Sequence, residues 1–232
     1  GNMDATPASF TWIVDATAPD TTIAANPSNP ANSTTANFDF SGNDGAGTGI
    51  ASFECKLDAA AFAACTSTKT YNALSNGSHT FQVRAIDVAG NVDATPASFT
   101  WIVDSVAPTM TINQAATQSD PTGNSPINFT VVFSEPITGF GAGDVNLGGT
   151  AGATTFAITE IAPNNGTTFN VEVSGMAGTG TVIASVISGS VQDIATNLNS
   201  TASTSTDNSV TYDISTKDIT AFSFTSPAAI GS

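Results

Sequence analysis

GNMDATPASFTWIVD, residues 1–15, returns as GNVDATPASFTWIVD, residues 90–104, with Met3 and Val92 at the position that differs. In the second copy Phe99, Trp101 and Val103 fall on alternate residues, the period that puts all three on one face of a β-strand. The offset from residue 1 to residue 90 is 89 residues, the length of one small domain, and copies this similar point to duplicated modules in a tandem array. The expected organisation is the last strand of a preceding repeat at 1–15, a module at 16–104, a second at 105–215 and the first strand of a following module at 216–232, with Phe222 and Phe224 on one face. On this reading the chain is a slice of a longer protein.

Working outward from the repeat, apolar and polar residues alternate in short runs bounded by Gly, Pro, Asn and Asp, and long helical periodicity is absent. Seven runs in the first module read as strands: 21–24, 36–40, 52–57, 62–65, 70–74, 79–86 and 98–103. Phe81, Val83 and Ala85 share a face, as do Phe99, Trp101 and Val103, and burying such side chains stabilises by about 2 kcal/mol each as an upper estimate. Seven short strands in a domain of this length predict an immunoglobulin-like sandwich. In the second module the runs are 110–113, 127–133, 155–161, 168–173, 181–187 and 209–213, a further sandwich less similar in sequence. The fold class is therefore all-β, in tandem immunoglobulin-like β-sandwich modules.

IVDATAPDTTI at 13–23 and IVDSVAPTMTI at 102–112 share the pattern Asp-x-x-Ala-Pro at the two expected joints. Pro19 and Pro108 fix φ and hold the preceding residue extended, which makes short, stiff linkers suited to a rod. These joints, with FECKLDAAAFAAC at 53–65, HTFQVRAIDVAGNVD at 79–93, and FSEPITGF and QDIATNLN in the second module, resemble the tandem bacterial immunoglobulin-like repeats of large secreted surface proteins and adhesins. The resemblance implies an extracellular, cell-surface setting and Ca²⁺ held between modules. The first module lacks a Trp in its third strand, so the likeness to antibody domains is architectural only.

Four basic residues against 19 acidic ones give a formal net charge of −15, which disfavours nucleic acid and anionic lipid as partners and favours a cation. No apolar run is long enough to span a bilayer. Cys55 and Cys65 are the only cysteines and are centred on Ala60, so an odd-length hairpin would set them opposite one another, within disulfide range. Closing that loop stabilises by about 2.8 kcal/mol in the chain-entropy model and implies an oxidising, extracellular compartment. Two small buried thiols are the alternative; a zinc site is not, because one His and two Cys cannot complete a tetrahedral set.

The acids are the main chemical lead. Residues 105–215 contain Asp120, Glu135, Asp144, Glu160, Glu172, Asp193, Asp207 and Asp213 and no Lys or Arg. Carboxylates about 4 Å apart repel by about 4 kcal/mol at a surface-like dielectric, so they separate or share a cation. In an immunoglobulin-like sandwich the loops after the second and sixth strands lie at the entry end, beside the linker. That groups Asp15, Asp44, Asp87, Asn91 and Asp93 at one joint, and Asp104, Glu135, Asp144, Asp193, Asn197 and Asn199 at the other. Hard oxygen ligands of this kind suit Ca²⁺, although no EF-hand spacing is present. The competing reading is that these acids solubilise the loops and that Asp and Asn form turns.

No enzyme is expected. His79, the sole histidine, falls on an expected strand, which favours a hydrogen-bonded or solvent-facing residue over a general base, and GAGTG at 45–49 and GMAGTG at 175–180 lack the strand-to-helix context of phosphate loops. Sequons at Asn32, Asn76, Asn128, Asn165 and Asn199 are what this composition gives by chance. The expected role is a stalk of modules rigidified by calcium, whose partners are its neighbouring modules. Two alternatives stand beside it: a module binding surface glycan or protein, and a filament subunit in which the 6–15 strand, with Phe10, Trp12 and Val14, pairs with another copy.

Overall fold

The computed structural model describes residues 1–216, which divide into two compact units, the first spanning Gly1–Ser105 and the second opening at Val106. The expected strand at 216–232 lies outside the described residues except for Thr216. Among the described residues no helix is long and apolar enough to cross a membrane.

In the first unit the strands are β1 (Asp20–Ala25), β2 (Ala36–Asn43), β3 (Ile50–Leu57), β4 (Ala63–Cys65), β5 (Lys69–Tyr71), β6 (Gly77–Asp87) and β7 (Ala97–Val103). They form a three-stranded sheet in the order β1-β2-β5 and a four-stranded sheet in the order β4-β3-β6-β7. Every ladder between these strands is antiparallel, and a single parallel bridge joins Ala31 to Val103 of β7. Alternation explains the stacking: along β6, His79, Phe81, Val83, Ala85 and Asp87 are buried while the residues between them are not. Phe38 of β2 meets Phe81 of β6 with ring centroids 4.1 Å apart, and Trp101 of β7 closes on Phe38 at 5.1 Å. The core therefore lies between the two sheets, the arrangement of an immunoglobulin-like sandwich.

Cys55 and Cys65 form a disulfide with Cα atoms 5.8 Å apart, but they are not directly opposite. The register pairs Phe53 with Cys65 and Cys55 with Ala63, so the bond joins diagonal neighbours. Asp58, at φ 53°, turns the chain one residue earlier than symmetry about Ala60 implies. A second departure is at β5, which ends at Tyr71 rather than running to Leu74, because Ala73 adopts φ 54°, outside the strand region.

In the second unit the strands are β8 (Met110–Gln114), β9 (Ile127–Phe133), β10 (Ile137–Thr138), β11 (Val145–Gly148), β12 (Thr155–Glu160), β13 (Thr168–Ser174), β14 (Gly180–Val186), β15 (Gln192–Asp193) and β16 (Ser209–Tyr212). A four-stranded sheet, β12-β13-β9-β8, a three-stranded sheet, β11-β14-β16, and a short β10-β15 ribbon enclose a core of aliphatic residues such as Ile112, Ile127, Val131, Val171, Val182 and Val210. β10, β11 and β15 were not expected. They are two to four residues long, and β11 follows the glycine-rich stretch 139–143, so their own alternation is too short to read.

Residues 1–19 form no strand. The twin stretch contains β7, which has β6 to pair with; among the described residues no strand forms a ladder with residues 6–15.

Candidate metal centre

Three segments of the first unit converge at the exit of β2 and the end of β6. Asp15 precedes Pro19, which is buried; Asp44 follows β2; Asp87 ends β6. One carboxylate oxygen from each lies within 4.8 Å of the other two. Asp44 and Asp87 are 7% and 2% exposed, so two of the three acids are withdrawn from bulk water.

Local chemistry shapes each contributor. Asp15 takes hydrogen bonds from the Thr17 N–H at Oδ1 (3.0 Å) and from the Thr48 N–H and hydroxyl at Oδ2 (2.6 and 2.9 Å). Those donors, the Thr17 N–H foremost, hold its carboxyl below the usual carboxylate range. Asp44 Oδ2 accepts from the Gly49 N–H at 2.7 Å, while Asp44 Oδ1 is buried with no hydrogen-bond partner. Both oxygens of Asp87 are met by one residue, the Asn91 N–H at Oδ1 (2.8 Å) and its side-chain amide at Oδ2 (2.7 Å). Asn91 thus orients the Asp87 carboxylate through its two nitrogens. Gly47 lets the loop close: a Cβ there would stand 2.3 Å from Asp44 Oδ2 and 2.7 Å from Asp15 Oδ2.

Asp93 is buried, its Oδ1 accepting from the Thr95 N–H and hydroxyl at 2.8 and 3.1 Å, while its Oδ2, like Asp44 Oδ1, is buried with no hydrogen-bond partner. It does not join the three-acid cluster.

In the second unit, carboxylate oxygens of Glu135 and Asp193 lie within 4.8 Å of each other. Asp193, 1% exposed, is held like Asp87, by the Asn197 N–H (2.9 Å) and side-chain amide (2.8 Å). Asp104 follows β7 in the first unit, its N–H bonded to the Ala31 carbonyl at 2.8 Å. Asp144 stands apart: it ends the 3-10 turn Ala142–Asp144 and accepts from the Gly141 N–H at 2.8 Å, which spends its carboxylate on the loop. Asn199 is also structural, its Oδ1 taking the Ser190 and Val191 N–H groups and its amide donating to the carbonyls of Ile187 and Thr201.

The donor set is all oxygen, and the ion pairs formed by His79 with Asp58 and Arg84 with Glu54 do not touch it. A buried carboxylate oxygen with no proton donor is costly unless a cation faces it. The Asp15, Asp44 and Asp87 cluster fits a hard metal ion.

No protein-family model matches this chain, and no curated protein sequence does. Among solved structures it is similar to the fibronectin(III)-like modules of CbhA from Clostridium thermocellum, at 11% identity and TM-score 0.37 over 88% of this chain and 98% of that one. It is also similar to the chitinase ChiA74 from Bacillus thuringiensis, at 17% identity and TM-score 0.29, over 82% of this chain but 28% of the chitinase.

Proposed function

We propose that these sandwich modules form a structural segment of an extracellular repeat protein, of the kind that projects from a bacterial surface, and that Ca²⁺ stiffens them at the acidic clusters. The observation that supports this most is Asp44: a buried carboxylate oxygen with no partner, beside Asp15 and Asp87. Asp15, Asp44 and Asp87 would hold the ion, which supplies the positive charge that the first unit's Lys, Arg and His do not bring there. Because Asp15 belongs to the stretch leading into β1 and the other two to the sandwich, a shared ion ties that stretch down. The disulfide fits an oxidising compartment.

The test is thermal unfolding against free Ca²⁺. Extracellular sites bind at about 10⁻⁴ to 10⁻³ M, and an ion present at tenfold over its Kd stabilises the folded state by about 1.4 kcal/mol. Chelator should lower the melting temperature of the first unit, and Asp44→Asn should abolish the calcium response. A wild-type melting temperature indifferent to calcium and to chelator rejects the reading. A binding role is the second reading, and the exposed, stacked Phe10 and Trp12, with centroids 6.2 Å apart, are the observation in its favour. Retention on glycan or protein supports that is lost on replacing both rings would support it.

A further inference from the structure

The same three segments are tied together by hydrogen bonds that need no ion. The Thr48 hydroxyl donates to Asp15 Oδ2 (2.9 Å) and accepts from the Ala89 N–H (3.2 Å), so one side chain bridges the stretch before β1, the β2–β3 loop and the turn after β6. The Asn91 side-chain amide makes a second bridge, to Asp87 Oδ2 (2.7 Å) and to the Asp15 carbonyl (3.2 Å). Asp15 is thus gripped at both its carboxylate and its backbone. A hydroxyl has one proton to give and lone pairs to receive, so Thr48 is used at both ends of its capacity. Valine has the shape of threonine without either function.

We infer that Thr48 and Asn91 form a cation-independent clasp that docks the stretch leading into β1 onto the first unit, so that any ion binds a site already assembled. This goes beyond the calcium reading and does not depend on it. In the absence of such a clasp, three converging carboxylates would drive Asp15 away whenever the cation left, and the joint would loosen with each loss of the ion. With it, the ion adds a second lock to a closed first one. Thr48 is a positioning residue here: it places Asp15 and offers the ion nothing itself.

Amide hydrogen exchange in chelator tests this on the full chain. Clasped, the N–H groups of Thr17, Thr48 and Ala89, which end on Asp15 and on the Thr48 hydroxyl, exchange slowly with no calcium present. Thr48→Val should accelerate exchange at Ala89 and Thr17 about tenfold or more, the effect of losing a charge-assisted hydrogen bond, while β6 and β7 stay as protected as in the wild type. Thr48→Ser, which keeps the hydroxyl, should restore the slow exchange. Fast exchange at all three sites in wild-type protein under chelator overturns the inference, and so does a Thr48→Val variant indistinguishable from wild type. Adding calcium to the same sample reads the other question separately: no further slowing removes the metal and leaves the clasp.

Discussion

Gly90 and Thr196 occupy the same place in two copies of one turn. In each copy an Asp N–H bonds to the carbonyl of the Asn four residues on, and that Asn returns its own N–H and side-chain amide to the Asp carboxylate. The residue before the Asn must be left-handed: Gly90 has φ 93°, and Thr196 has φ 72°. A β-branched residue there carries strain of about 1–3 kcal/mol, partly offset by the entropy that glycine gives up on folding, about 1 kcal/mol. Thr196→Gly should therefore stabilise the second unit by about 1 kcal/mol, read as a higher urea midpoint with unchanged slope. A midpoint that stays or falls would show that the threonine is at ease in this turn. The turn was legible in the sequence as Asp-x-x-x-Asn in both modules, but that the nitrogens of Asn91 and Asn197 would hold the aspartate carboxylates was not. Residue types do not say which way an amide faces.

At the scale of the element, β6 begins with a histidine whose environment fixes its charge. His79 is buried, its Nε2 lying 2.9 Å from the Ser75 carbonyl and its Nδ1 2.8 Å from Asp58 Oδ2, with Trp101 of β7 beside the ring. Both partners are acceptors, so both ring nitrogens donate only when the imidazole is protonated. The Ser75 carbonyl first and the Asp58 carboxylate next raise its pKa above the ordinary value, against burial, which lowers it. Burial acts to raise the carboxyl of Asp58, and the His79 bond and the Thr80 N–H together outweigh it and bring it down, so Asp58 stays ionised throughout the histidine's range. A group with a raised folded-state pKa contributes its full stability below the unfolded value, about 6.5, and loses it as pH climbs through the folded value. Unfolding of the first unit should therefore become easier as pH rises above the unfolded value of about 6.5, and His79→Gln should flatten that slope while costing about 1–2 kcal/mol at the acid end. A wild-type slope no steeper than the variant's would refute the clamp. The sequence reading placed His79 on a strand with no catalytic role in view; its partners, from the loops on either side of β4 and β5, emerge only when the sheets are assembled.

At the scale of the whole molecule, one twelve-residue sequence exists in two states. DATPASFTWIVD at 93–104 contains β7, where Trp101 is fully buried; at 4–15 it forms no strand, and Trp12 is 70% exposed. Local propensity is the same in both, so pairing makes the strand: β6 supplies the ladder, and the Phe38, His79 and Phe99 rings pack against the indole. Trp101→Ala should accordingly cost about 3–5 kcal/mol, whereas Trp12→Ala should leave the melting temperature of the units unchanged. Equal effects of the two substitutions would mean that the exposed copy is engaged elsewhere in the fold.

The class of structure and the positions of most strands are written in the local pattern, because period-two alternation of large apolar residues, as in Phe81, Val83, Ala85 and in Ile127, Phe129, Val131, Phe133, leaves a buried sheet face as the one way to remove them from water together. The sequence also marks the loops that carry the acids, since turn residues punctuate those strands. Which acids meet depends on the assembled fold. Asp15, Asp44 and Asp87 are far apart along the chain and converge because the two sheets stack, while Asp93, in the loop after β6, and Asp144, in the second unit, each direct a carboxylate oxygen to a hydrogen bond two or three residues away. The assembled fold likewise decides the diagonal register of Cys55 and Cys65, the pairing of the two- to four-residue strands β10, β11 and β15, and the fate of each copy of the repeat. The physical reason is common to all of them: alternation is a local property that survives in one dimension, whereas convergence, register and pairing depend on what the rest of the chain places opposite.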